Sequence, residues 1–266
     1  MKLRERYQTF IQLYRNRYAA KPEFKPKQLD SQQQAWLEEL RVKGAVMIPN
    51  FLSDSECDNI KDSISVSIQE FKNNQTHLEE KEQSKFGYDM PSGFSVWKDV
   101  HESDFRIIKS EKQNPLIARF NQDTRLSDLG TNYLKADLHV KFTMCNRLEY
   151  RPKNLGSGGG WHRDMMYKRG FKAMVYLTDV DEKSGPFQFI PGSSASNFHL
   201  ANVLKVDQYQ FSHEEVLGII GGDEQKIFSC IAPKGTLLIF ETNMIHRGKP
   251  ISEGHSRFAM TNYYNW

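Results

Sequence analysis

Three residues far apart in the chain carry side chains able to share one metal ion. His162 and Asp164 lie in the stretch Trp161-His162-Arg163-Asp164, and His246 lies in Met244-Ile245-His246-Arg247. On a β-strand, side chains two residues apart fall on one face, so a strand through this stretch sets His162 beside Asp164 and turns Arg163 away. Two imidazoles and one carboxylate make the facial triad that holds Fe(II) on one side and leaves the remaining coordination positions open. Either half alone says little, because a His-x-Asp pair on a strand is more often a hydrogen-bonded surface pair. Three protein ligands with an open position also suit zinc and hydrolysis, and a binding module could keep the motif without turnover. His77, His101, His139, His199, His213 and His255 have no partner at ligand spacing and are read as non-ligands.

Strands must present these groups, and from Leu138 onward the pattern is one of short apolar segments separated by turns. The segments are Leu138–Tyr150, Phe171–Thr178, Pro186–Ile190, Ile227–Ile231, Thr236–Phe240 and Arg257–Tyr264, with Pro191-Gly192 and Pro233-Lys234-Gly235 among the stops. Regular short strands of this kind predict a closed or two-sheet β architecture. The Gly-rich run Gly156–Gly160 delivers the chain to Trp161. It lacks a Gly-Lys-Ser/Thr ending and no βαβ pattern follows, so it is not a phosphate loop. Upstream, Ser31–Val42 reads as a helix ended by Gly44, and Ala45–Ile48 as a short strand. Ser53-Asp54-Ser55-Glu56 is a capping box opening a helix to about Phe71, with Cys57, Ile60, Ile64 and Ile68 inward. Asn114–Tyr133 reads as one further helix, residues 72–86 as a polar surface loop, and about 193–225 as an insert of helix and loop.

The first twenty residues repeat Leu3, Tyr7, Phe10, Ile11, Tyr14 and Tyr18 at helical spacing, with arginines on the other face. We expect this arm to pack its aromatic stripe on the rest of the protein. The alternative is an interfacial helix in peripheral contact with an anionic membrane. The chain therefore divides into a helical extension (1–43) and a β domain with flanking helices (44–266).

Composition narrows the function. A net charge of +3 over 266 residues is too weakly basic for a dedicated nucleic-acid binder. Cys57, Cys145 and Cys230 are widely spaced, which supports neither a disulfide framework nor a thiolate zinc site and points to a reducing, cytoplasmic setting. No apolar run approaches the roughly 20 residues of a membrane span.

Four blocks taken together resemble the phytanoyl-CoA dioxygenase-like family of iron(II)/2-oxoglutarate oxygenases. They are Gly44–Leu52, Trp161–Asp164, the run from Leu177-Thr178-Asp179-Val180 through Gly185-Pro186-Phe187 to Pro191-Gly192-Ser193, and Gly235–Arg257. The resemblance covers about residues 44–266 and implies a double-stranded β-helix (a jelly roll, cupin-like) with iron at the barrel mouth. It places the iron ligands on His162, Asp164 and His246, and the arginine that anchors 2-oxoglutarate on Arg257. The implied activity is hydroxylation of a small-molecule C–H bond with O2, coupled to conversion of 2-oxoglutarate to succinate and CO2. A planar guanidinium suits the far carboxylate of such a cosubstrate, because it offers two parallel charge-assisted hydrogen bonds. Alternation along the last strand puts Arg257, Ala259 and Thr261 on one face. Two residues past the distal histidine, where relatives often carry a hydroxyl, this chain has Gly248. Supplementary cosubstrate contacts are then left open, with Asn146, Tyr167 and Tyr176 as candidates.

Overall fold

The computed structural model describes residues 24–74, 83–84, 87–99, 101–164, 169–194 and 208–265, together with Gln8 and Ile11. The aromatic stripe expected on residues 1–20 lies outside these apart from Ile11, as do Tyr167 and residues 195–207 of the expected insert. Helix α1 (Ser31–Lys43) starts at Asp30, whose carboxylate accepts from the Gln33 amide, and ends where the Gly44 amide donates to the Leu40 carbonyl. Strand β1 (Ala45–Ile48) follows, then α2 (Asp54–Asn74). The capping box is formed as read: the Glu56 amide donates to Ser53 Oγ and the Ser53 amide to the Glu56 carboxylate.

Two expectations are corrected here. Of the loop expected over 72–86, residues 75–82 and 85–86 lie outside the described residues, and the described ends are regular structure. Helix α2 runs to Asn74, where Lys72 lies over the Phe105 ring at 5.1 Å, and β2 (Gln83–Ser84) pairs with β3 (Gly87–Asp89). The helix expected over Asn114–Tyr133 is two helices, α3 (Pro115–Asn121) and α4 (Thr124–Leu134). Asp123 divides them, because its side chain accepts from the Arg125 amide and starts a new helix instead of continuing the old one.

The remaining strands are β4 (Ser95–Lys98), β5 (Asp104–Ile108), β6 (His139–Glu149), β7 (Trp161–His162), β8 (Phe171–Tyr176), β9 (Phe187–Phe189), β10 (Gln210–Phe211), β11 (Phe228–Cys230), β12 (Leu237–Glu241), β13 (His246–Gly248) and β14 (Ser256–Asn265), with helix α5 (His213–Ile219) between β10 and β11. They build a nine-stranded antiparallel sheet, β1-β12-β8-β14-β6-β5-β4-β3-β2, and a five-stranded one, β10-β7-β13-β9-β11. The central four strands of the first (β12, β8, β14, β6) and four of the second (β7, β13, β9, β11) alternate between sheets as the chain proceeds, except that β9 and β11 follow one another and pair within the small sheet. That is the winding of a double-stranded β-helix, the jelly roll expected from the sequence.

Alternation divides the large sheet between two cores. Ala173, Val175, Leu237, Ile239 and Met260 face outward, where Ile60, Ile64, Ile68, Phe71, Ile117, Phe120 and Leu129 cover them. Leu37 and Leu40 of α1 join the same core. Met174, Tyr176, Leu238, Phe240 and Ala259 face inward against Phe187 and Phe189 of the small sheet. Ile64 is fully buried beneath the sheet. Ile64→Ala is expected to cost about 2–5 kcal/mol through lost contacts and the cavity left behind, read as a lower urea midpoint at unchanged m-value. No helix among the described residues is long and apolar enough to cross a membrane.

Candidate metal centre and adjoining cavity

The two histidines meet because β7 and β13 are neighbours in the small sheet, in a register that sets His246 opposite His162. Their ring centroids lie 4.4 Å apart. Asp164 joins them from just beyond β7, since the strand proper ends at His162. Its backbone amide donates to the Thr242 carbonyl at 3.1 Å, which fixes the turn. Asp164 Oδ1 then stands 3.5 Å from His162 Nε2 and 3.8 Å from His246 Nε2. One donor atom from each residue falls within 4.8 Å of the others, and no second cluster of this kind occurs among the described residues. Arg163 turns away as expected, but into protein: it is 2% exposed and lies over the Phe211 ring at 5.2 Å.

The donor set fits a divalent transition metal in detail. His162 Nδ1 is 2.9 Å from the Gly160 carbonyl oxygen, and His246 Nδ1 is 2.8 Å from that of Met244. A carbonyl can only accept, so each Nδ1 carries the proton and each Nε2 keeps its lone pair for the shared centre. Burial, together with the neighbouring His162, pushes the His246 imidazole down to about 3, leaving it a neutral ligand near physiological pH. Burial alone would favour the neutral acid of Asp164. The Lys172 ammonium and the two histidines outweigh it and hold the carboxyl well below the usual range.

The Gly-rich loop serves this centre by backbone approach. A β-carbon on Gly158 would sit 2.1 Å from His162 Cε1, and one on Gly156 would sit 1.9 Å from the Gly248 carbonyl oxygen. Gly158→Ala is expected to displace the imidazole and weaken Mn(II) binding by roughly tenfold or more, measured by titration of free metal. Gly159 shares the positive φ but has nothing within 4 Å of its missing β-carbon. Gly159→Ala therefore carries the backbone strain alone and should bind Mn(II) as the parent does. The absence of a hydroxyl at Gly248 has a packing reason too: a β-carbon there would lie 2.9 Å from Ser157 Cβ.

A cavity of about 120 Å³ opens beside the three ligands. Its floor is the inner face of the large sheet, carrying Lys172 and Met174 of β8, Arg257, Thr261 and Tyr263 of β14, Met144 and Asn146 of β6 and Arg106 of β5. Phe187 of β9 and Phe240 of β12 close it from the apolar side. Arg257 is 3% exposed; its Nη1 donates to the Gly185 carbonyl and its guanidinium lies 5.8 Å from the Tyr176 ring centroid. Its Nε is buried with no hydrogen-bond partner among the described residues. A buried guanidinium with a donor to spare fits an incoming carboxylate.

The three candidate supplementary contacts separate. Asn146 lines the cavity and donates to Asp104 Oδ1 at 3.3 Å. Tyr176 does not reach it. Its hydroxyl donates to the Cys230 carbonyl and accepts from the Phe187 amide, pinning the two sheets together. Tyr167 lies outside the described residues. Sequence reasoning missed Arg106, whose Nε and Nη2 reach Asp104 Oδ2 at 2.8 and 2.6 Å, and Lys172. A charged residue at an inward position of an otherwise apolar strand was the available signal for Lys172. It also missed Glu241, which accepts from Tyr133, Arg169 and Ser194 and so ties α4 to Arg169 and Ser194.

A double-stranded β-helix in which two histidines and a carboxylate converge defines a jelly-roll protein with three side chains that could hold a metal ion. Within that class the chain belongs to the phytanoyl-CoA dioxygenase (PhyH) family, which it matches over residues 40–259. It is 26% identical over 158 residues to the ectoine dioxygenase of Sphingopyxis alaskensis, covering 53% of this chain and 50% of that protein. The chain thus spans about half the length of the curated relatives it matches. The apo crystal structure of EctD from Sphingopyxis alaskensis superposes with a TM-score of 0.58 at 16% identity, covering 92% of this chain and 81% of that one. HygX from Streptomyces hygroscopicus, solved with nickel and 2-oxoglutarate, gives 0.53 at 15% identity, covering 90% and 87%. At such identities the likeness to the solved structures is one of fold.

Proposed function

We propose that the protein is an Fe(II)- and 2-oxoglutarate-dependent oxygenase that hydroxylates a small molecule, with succinate and CO2 as coproducts. The observation that carries this reading is the convergence of His162 Nε2, Asp164 Oδ1 and His246 Nε2 beside a buried arginine with an unmade hydrogen bond. His162, Asp164 and His246 would hold the iron, and Arg257 the far carboxylate of 2-oxoglutarate. Bound Fe(II) with 2-oxoglutarate supplies the activation of O2, which no side chain of the protein can perform. The chain's own part is placement and exclusion of water. The rigid strands β7, β13 and β14 fix the ligands and the anchor, while Met174, Phe187 and Phe240 give the cavity an apolar wall.

The test is succinate formation from 2-oxoglutarate by the purified protein with and without Fe(II), followed by a screen of candidate substrates for stimulation of turnover. Ectoine, the compound in the relatives' name, is the first to assay. Iron-dependent succinate is the expected result. No succinate under any iron loading, with zinc-dependent hydrolysis in its place, would overturn the reading.

A further inference from the structure

Each imidazole at the centre has its second nitrogen tied to a backbone carbonyl, and the carboxylate has a counterpart to those ties. Lys172 Nζ lies 2.5 Å from Asp164 Oδ2, the oxygen that does not face the histidines. The lysine is held in turn. It stands on β8 in register with Tyr263 of β14, its ammonium is 4.3 Å from the Tyr263 ring centroid, and its side chain is 15% exposed. We propose that Lys172 is a positioning residue that holds Asp164 Oδ2, so that only Oδ1 is offered to the metal. The inference rests on the metal-binding reading above and deepens it.

The chemistry at stake is the number of open positions. A carboxylate can give a metal one oxygen or two. Two would occupy a position that a bidentate cosubstrate or O2 requires, since the facial set works by leaving one side free. Outer partners that orient ligands are worth roughly 10–100-fold in metal affinity or activity. A cation so near a metal also repels it. Coulomb repulsion alone therefore predicts that removing the lysine tightens metal binding and leaves the carboxylate as it was. Positioning predicts a change in how the carboxylate binds.

The test is crystallographic, on the full chain with Mn(II) and 2-oxoglutarate, for the wild type, Lys172→Met and Lys172→Arg. The expected result is Oδ1 on the metal and Oδ2 on the amine in the wild type, and both oxygens on the metal in Lys172→Met. In solution, the visible absorption of the Co(II)-loaded protein should shift in Lys172→Met and return in Lys172→Arg. Affinity for 2-oxoglutarate should fall about tenfold in the methionine variant. Asp164 bound through Oδ1 alone in Lys172→Met would overturn the inference while leaving the metal reading standing. So would Oδ2 on the metal in the wild type, which decides the matter even if neither variant folds. A wild type that takes up no Mn(II) would overturn the metal reading and this inference with it.

Discussion

Asp164→Ala is expected to bind iron weakly, to lose most 2-oxoglutarate turnover, and to melt well below the wild type. The first two effects follow from removal of the anionic ligand of the set. The third has a separate cause. With Asp164 gone, the Lys172 ammonium keeps its burial and loses the carboxylate 2.5 Å away. Breaking a buried pair by deleting one partner costs roughly 3–5 kcal/mol, because the remaining charge is stranded. The short side chain at the barrel mouth would otherwise contribute little to stability. Adding Lys172→Met to Asp164→Ala should therefore recover most of the melting temperature and none of the iron binding. Iron content, succinate formation and thermal denaturation of the wild type, the two singles and the double form a complete cycle. An Asp164→Ala protein with full iron and normal turnover would sink the ligand assignment. A double variant no more stable than the single would sink the stranded-charge account.

Arg257→Ala is expected to weaken 2-oxoglutarate binding by about 3–5 kcal/mol, the magnitude found when one partner of a buried, hydrogen-bonded charge pair is removed. Metal binding should survive, because Arg257 is not among the three converging donors. Arg257→Lys should fall between, keeping the charge and losing the planar fork. Some loss of stability accompanies both, since the Gly185 carbonyl gives up the donor it receives from Arg257 Nη1. Titration of the anaerobic Fe(II) protein with 2-oxoglutarate reads the effect. Unchanged affinity in Arg257→Ala would mean that the anchor is another cation, with Arg106 and Lys172 the candidates in the cavity among the described residues.

What the amino-acid sequence determined by itself was local or periodic. Ser53 and Glu56 satisfy each other's amides within one turn, so the start of α2 was visible from four residues. Alternation sorted β14 into Arg257, Ala259 and Thr261 on one side and Phe258 and Met260 on the other, because period two is a property of the extended backbone. His162, Asp164, His246 and Arg257 could be singled out because four blocks of the chain together resemble one family's pattern, even with some 80 residues between the histidines. The division of Asn114–Tyr133 into two helices was local as well, and the cap at Asp123 was the clue overlooked.

Tertiary structure decided everything that depends on which strands become neighbours. The pairing of β7 with β13 sets two imidazoles side by side, with ring centroids 4.4 Å apart. The β8–β14 register sets Lys172 beside Tyr263, near enough to Asp164 to bind its outer oxygen. Nothing within a few residues of Lys172 marks it as a partner of Asp164. The contact exists only because the sheets close around one cavity, and a buried ammonium is tolerated there because a carboxylate arrives from another strand to neutralise it. The Gly-rich loop is the same case: its glycines are required by an imidazole and a carbonyl that approach from elsewhere in the fold, and a linear chain carries no record of that approach until it has folded.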